Sequence, residues 1–160
     1  MATATAEIQV LTASDVLKHW QGHRGLTRRT IEAFPEDKLF SFSVGGMRPF
    51  ADLAWEFISM AVPIVEGVVT GNWQEYKKKE KPSTKAELLR IWDEQTAKLN
   101  EMWEKIPPHR FAEVDKAFGQ WEGSGMQTIQ YAVDNEIHHR GQGYVYLRAL
   151  GIEPPHFWER

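Results

Sequence analysis

The residues best able to do chemistry lie in one stretch near the C-terminus. Ile129, Ala132, Asn135, His139, Gln142 and Tyr146 recur at spacings of three and four. At about 100° per residue they share one helix face. Such a face should turn into a protein core, yet it carries an amide, an imidazole, a second amide and a phenol. Asn135 and His139 are four apart, so their side chains lie over one another. Two ligand-type groups at that spacing can grip one metal ion or one substrate group, or they can form a hydrogen-bonded structural pair. Gln142 and Tyr146 continue the face and are candidates for substrate contact or for core packing.

Other pairs flank this face. Glu136 and Arg140, and Asp134 and His138, are each spaced by four with the acid first, which reads as local ion pairing. A second candidate lies far upstream. Glu56 stands beside Phe57 and three residues after Leu53, at the edge of an apolar stripe. A carboxylate there needs a cation, a donor or water, because burying it unpaired is costly. Asp52, one turn earlier, should be more exposed. His23, between Trp20 and Thr27, is either a structural residue or a ligand.

Four helices would position these groups. The first opens at Thr12, with Asp15 as a variant capping box, carries Val16, Trp20, Thr27, Ile31 and Phe34, and stops at Pro35. A loop runs to about Met47. The second helix spans about Arg48 to Thr70, with Pro63 inside it and Gly71 as its C-terminal cap. The third opens at Thr84 with Glu87 three on, carries Leu88, Trp92, Leu99 and Trp103, and ends at Pro107 and Pro108. The fourth runs from about Gly125 to Leu150. Between the second and third helices, Lys77, Lys78 and Lys79 read as a solvated loop. The linker from His109 to Ser124 holds Phe111, Phe118 and Trp121, which should pack over the bundle. The pattern gives an all-α four-helix bundle with no convincing strand, and connections long enough for one or two crossovers.

The bulk composition agrees. The chain has 160 residues, 42% of them hydrophobic, with 7 Trp and 8 Phe: one domain with a sizeable aromatic core. A net charge of -3 argues against nucleic acid as a partner. The absence of cysteine excludes disulfides, thiolate metal sites and a cysteine nucleophile. Met1 to Val10 lacks the regions of a signal peptide. No apolar run approaches the ~20 residues of a membrane span; the longest, Ile58 to Thr70, carries Pro63 and Glu66. The expectation is a cytoplasmic protein with no membrane partner. Trp55 and Trp73 fall at helix edges that a homodimer face would cover.

The run Asn135-Glu136-Ile137-His138-His139-Arg140-Gly141-Gln142, followed by Tyr146-Leu147-Arg148-Ala149-Leu150-Gly151, resembles the last helix of the DinB-like (damage-inducible, YfiT-type) family. Gly46-Met47-Arg48-Pro49-Phe50-Ala51-Asp52-Leu53-Ala54-Trp55-Glu56 resembles that family's second helix, and the order and length of the helices fit over nearly the whole chain. The resemblance implies a four-helix bundle, commonly dimeric, with one divalent metal on three histidines. It also implies kinship with S-transferases that use bacillithiol or mycothiol as a thiol cosubstrate, and with a maleylpyruvate isomerase.

The chain departs from that pattern at the site itself. Glu56 and Asn135 stand where the family has histidines, and only His139 is retained. In one reading Glu56, Asn135 and His139 still hold a divalent ion. The harder donor set would suit Mn²⁺ or Mg²⁺ relatively better, with Zn²⁺ and Ni²⁺ also open, and the chain would be a metal-assisted transferase or hydrolase of a small molecule. In the other, Glu56, Asn135 and His139 satisfy one another without an ion, and the chain is a stress-related bundle that binds a small ligand or a partner without catalysis.

Overall fold

The structure is a computed structural model, and it describes residues 10–73 and 80–160. The Lys77–Lys79 run lies outside the described residues. Four long helices form the frame: α1 (Ala13–Ala33), α3 (Phe50–Thr70), α4 (Lys85–Trp103) and α5 (Gly125–Ala149). A short α2 (Glu36–Ser41) follows α1, where the sequence suggested only loop. Pro35 supplies its N-cap position and Leu39 is buried in the core.

Local chemistry sets the helix ends. Thr12 and Asp15 form the capping box on α1. Thr84 Oγ1 accepts from Glu87 N at the start of α4. Ser124 and Gln127 form a second complete box on α5, each satisfying a backbone N–H that would otherwise lack a partner. Gly71 ends α3 in the left-handed region at φ 71°, a conformation glycine adopts without steric cost. The helix runs continuously through Pro63.

α3 packs on α4 and α5, and α1 packs on the same two helices. α1 and α3 therefore sit across the diagonal, and so do α4 and α5. Both the α1–α3 and the α4–α5 connections cross the bundle, which accounts for their length. The second crossover corrects the expectation of no strand. After a 3₁₀ turn (Pro108–Phe111), β1 (Val114–Ala117) and β2 (Trp121–Ser124) pair as an antiparallel hairpin in the register Val114↔Ser124 to Ala117↔Trp121. Four-residue strands with Asp115, Lys116, Glu122 and Gly123 in them carry little β signal. The tight turn at Phe118 and Gly119, both at positive φ, is what brings them together.

By length and composition α3 could cross a membrane, with a mean hydropathy of 1.5. Half of that stretch is buried inside the bundle, and its apolarity is explained by contact with α4 and α5. Trp73 is not at an open edge either: its ring lies over Gly67, where a Cβ would stand 2.2 Å from it, and packs edge-on to Phe118.

The core is divided in two. One cluster holds Trp20, Ile64, Val68, Leu99, Trp103 and Ile129. The other holds Phe34, Phe50, Phe57, Leu88, Trp92 and Leu147. A polar waist separates them on α1 and α5. Its members His23, Arg24, Thr27, Glu136 and Arg140 are all buried. Glu136 and Arg140 are thus not a surface ion pair. Glu136 accepts from Trp20 Nε1 at 3.2 Å and Thr27 Oγ1 at 2.6 Å. Arg140 donates to the His23 carbonyl and to Thr27 Oγ1, each at 3.2 Å. Arg24 stacks 4.0 Å over the Trp92 ring and donates to Thr96 Oγ1 at 2.8 Å. The buried face of α5 therefore runs Ile129, Ala132, Val133, Glu136, Arg140, Gly143 and Leu147, with Tyr146. Asn135, His139 and Gln142 flank it, half-buried on the side that meets α3.

Candidate functional site

The waist of α5 thus serves two polar clusters, one buried against α1 and one half-open against α3. The second gathers the residues singled out by sequence. Asn135 Nδ2 donates to Glu56 Oε1 at 3.0 Å. His139 Nε2 stands 3.6 Å from the same oxygen. Gln142 Oε1 lies 3.1 Å from His139 Nδ1. Phe57 lies nearly parallel to the imidazole with centroids 6.1 Å apart. Glu56, Asn135, His139 and Gln142 are brought together as expected.

Tyr146 has a different place. It is fully buried, and its hydroxyl donates to the Arg48 carbonyl at 3.1 Å. Of the two roles open to it, substrate contact and core packing, it has the second: it fixes the turn that enters α3, because a phenol shut into the core needs a nearby acceptor for its O–H. That turn delivers the residue sequence reasoning missed. Arg48 Nη1 lies 2.6 Å from Glu56 Oε2. Arg48 precedes the helix and Pro49 takes the N-cap position, so no helical spacing links it to Glu56. The usable signal was chemical: a carboxylate on an apolar stripe needs a cation, and Arg48 is the nearest basic residue before it.

The electrostatics follow from these contacts. Burial raises the Glu56 pKa, but the hydrogen bonds from Arg48 and Asn135 and the charge of Arg48 outweigh it, and the carboxyl is held below its ordinary value. Asp52, one turn earlier, pairs with Lys81. An ionised carboxylate only accepts, so Asn135 must offer it the amide NH₂. The amide oxygen Oδ1 is then buried with no partner. If Gln142 Oε1 accepts from Nδ1–H, the neutral imidazole turns its Nε2 lone pair toward Glu56. Glu56 Oε1 has its donor in the Asn135 amide, whereas Asn135 Oδ1 and, in that tautomer, His139 Nε2 are both left without one.

That deficit bears on whether a divalent ion fits. The 3.6 Å between Glu56 Oε1 and His139 Nε2 is about the separation of two ligands each ~2.1 Å from one ion. The carboxylate, however, is already neutralised by a guanidinium, and the Asn135 amide presents nitrogen to it. Among the described residues no group of three or more His, Asp or Glu converges as a metal site. As arranged, the set does not fit a tightly held ion.

A cleft of about 730 Å³ lies further along the same two helices. Met60 and Ile64 of α3, Gln127, Thr128 and Tyr131 of α5, and Phe118 and Trp121 of the hairpin line it.

Known proteins of similar sequence and shape share this architecture. The chain is 25% identical to the uncharacterized protein YjoA of Bacillus subtilis (strain 168) over 152 residues, covering 92% of this chain and 97% of YjoA. The crystal structure of YjoA, a DinB-like protein, superposes with a TM-score of 0.71 at 20% identity over 91% of this chain and 99% of that one. A DinB-like protein from Bacillus cereus ATCC 10987 gives a TM-score of 0.72 at 16% identity, over 89% and 95%. A mycothiol-dependent maleylpyruvate isomerase gives a TM-score of 0.66 at 11% identity, over 83% of this chain and 61% of the isomerase. The model of the DinB family matches residues 1–160, and the chain belongs to that family.

Proposed function

We propose that this DinB-family chain binds a small organic molecule at the Arg48–Glu56–Asn135–His139 cluster without a resident metal, the molecule supplying the hydrogen-bond donor the cluster lacks. The observation that carries this reading is Asn135 Oδ1, buried and unpartnered beside a carboxylate already paired with Arg48. A buried acceptor left unsatisfied costs about 1–3 kcal/mol, and a ligand O–H, N–H or S–H would recover that energy as affinity. His139 is the group able to take a proton, because Gln142 holds Nδ1 and leaves Nε2 toward the site. With a thiol head, the S–H proton would pass to Nε2 and leave a thiolate near the Arg48 guanidinium, which is the nucleophile of a thiol transferase. The mycothiol dependence of the isomerase with a similar fold supports a thiol over an alcohol.

A second reading keeps a divalent ion on Glu56, Asn135 and His139. It draws on the 3.6 Å approach of Glu56 Oε1 and His139 Nε2. It requires Arg48 to leave the carboxylate and the Asn135 amide to turn over.

Elemental mass spectrometry of protein purified without chelator separates the two. The expected outcome is far less than one equivalent of metal in both wild type and His139→Ala. Near-stoichiometric metal in the wild type that disappears in His139→Ala overturns the metal-free reading and establishes the second.

A further inference from the structure

The cleft beyond the polar cluster has a chemistry of its own. Its wall is built mainly from Met60, Ile64, Phe118, Trp121 and Tyr131. Among the described residues that line it there is no lysine or arginine, and Glu122 is the one charged group. Glu122 stands opposite Lys116 across the hairpin, so the described lining adds no net charge, and its rings favour an uncharged body over an anion. Two of the rings, Trp121 at 62% and Tyr131 at 60% exposure, stand open to solvent within this one lining, and it is apolar surface gathered in a patch, not scattered singly, that marks an interaction site.

The hairpin that forms one wall is held at a cost. Phe118 adopts φ 51°, a region that disfavours a bulky side chain. Strain of this kind concentrates at ligand sites. Here it sets the Phe118 ring edge-on between Trp73 at 5.3 Å and Trp121 at 6.2 Å, so the cleft wall is fixed before a ligand arrives. The cleft is also aligned with the polar cluster. Met60 follows Glu56 by one helical turn on α3, and Tyr131 precedes Asn135 by one turn on α5, an advance of about 6 Å along each helix.

From this we infer that the cleft takes the body of an uncharged, planar aromatic molecule whose single donor group (amine, hydroxyl or thiol) reaches Asn135 and His139. This inference rests on the donor-seeking site proposed above for its head group, but the aromatic cleft stands on separate residues. The volume, about 730 Å³, is in the range of pockets for molecules of drug size.

The test uses two fluorescent probes on one scaffold. N-phenyl-1-naphthylamine is uncharged and carries one N–H. 8-Anilino-1-naphthalenesulfonate adds an anionic sulfonate. Saturable fluorescence enhancement is expected for the neutral amine, with binding of the sulfonate weaker by roughly tenfold or more. Met60→Trp, which fills the cleft, and Trp121→Ala, which removes an exposed ring without touching the core, should each weaken the amine by about tenfold, the scale of one aromatic contact. The inference is overturned if the amine does not bind, if both variants bind it like the wild type, or if the sulfonate binds as tightly. Asn135→Ala separates the two readings. If it weakens the amine while the cleft variants do not, the cleft inference fails and the head-group site stands. If the cleft variants weaken it and Asn135→Ala does not, the aromatic cleft stands and the donor-seeking site fails.

Discussion

Arg48 Nη1 stands 2.6 Å from Glu56 Oε2, and this one contact decides what the central site can hold. It places a guanidinium where a metal's charge would otherwise act on the carboxylate. Arg48→Gln should therefore do two things. The Glu56 pKa should rise, because burial would no longer be outweighed, and carboxyl-carbon NMR titration would register the shift. Uptake of added Mn²⁺ or Zn²⁺ should increase over wild type in equilibrium dialysis. The stability cost should stay within about 1 kcal/mol, since Arg48 is half-exposed. Unchanged metal uptake in the variant would remove Arg48 as the obstacle.

The waist should make the fold acid-sensitive through His23. Burial lowers its pKa, the charges of Arg140, His19 and Arg160 lower it further, and it falls from 6.5 to about 4. Guanidinium groups face both ring nitrogens, Arg140 at 3.0 Å and Arg160 at 3.2 Å, so a second ring proton would meet a cation whichever nitrogen took it. The unfolded chain binds that proton more readily, so stability is present above about pH 6.5 and is lost as pH falls toward 4. The full loss is of order 3 kcal/mol. Urea denaturation at pH 7 and pH 5 should show a slope in wild type that flattens in His23→Gln. Glu56 adds loss in the same direction only at lower pH, because its pKa is depressed below that of an ordinary carboxyl, so the upper part of the window isolates His23.

Glu136→Gln tests whether the buried cluster is ionic at its heart. Glu136 is the buried acid closest to Arg24, whose Nη1 lies 4.0 Å away at 1% exposure. Glutamine keeps the shape but leaves buried arginines uncompensated, an effect of about 3–5 kcal/mol. The exposed Glu94→Gln, which loses only its pairing with Arg90, should shift stability by about 0.5 kcal/mol or less. Equal denaturation midpoints for the two variants would mean the waist does not depend on that charge.

Two glycines on α5 offer a sharper contrast. A Cβ on Gly143 would stand 2.4 Å from the Phe50 ring, whereas one on Gly141 would meet nothing within 4 Å. Gly143→Ala should destabilise by about 1–3 kcal/mol through overpacking. Gly141→Ala should stabilise by about 0.5–1 kcal/mol through helix propensity alone. Thermal melts of the two variants should move in opposite directions.

How far the sequence revealed the site follows from which contacts are local. Periodicity placed the four long helices, and capping chemistry fixed their starts at Thr12 and Thr84, because these signals lie within a turn of the residues they control. The α5 face was read one step off. Periodicity puts Asn135 and His139 on the inward line, while in the structure Glu136 and Arg140 hold it, because a buried ion cluster looks in sequence like a surface pair. Only contact with Trp20, His23 and Thr27, more than a hundred residues away, distinguishes them. Arg48 escaped for the same reason, since it reaches Glu56 from outside any helix. The hairpin escaped because its strands are short and polar and depend on the turn at Phe118. Glu56, Asn135 and His139 were legible because each is a polar type on a stripe otherwise apolar, and that anomaly needs no tertiary knowledge.

The three-histidine pattern that the family resemblance implies can be built into this site. Glu56→His with Asn135→His, kept alongside His139, would place three imidazoles on the turns of α3 and α5 that now hold one. The carboxylate that attracts Arg48 would be gone, and with it the reason for a guanidinium at the centre. Asn135 would no longer bury an unpartnered oxygen. Three neutral nitrogen donors suit Zn²⁺ or Ni²⁺ far better than an amide, a carboxylate and one imidazole do. The double variant should therefore bind close to one equivalent of Zn²⁺ by isothermal calorimetry, with a rise in melting temperature that depends on metal concentration. Wild type should show neither. If wild type matches the double variant, the native site is a metal site after all and Arg48 gives way to the ion. If neither binds, the approach of α3 to α5 differs from what three ligands need.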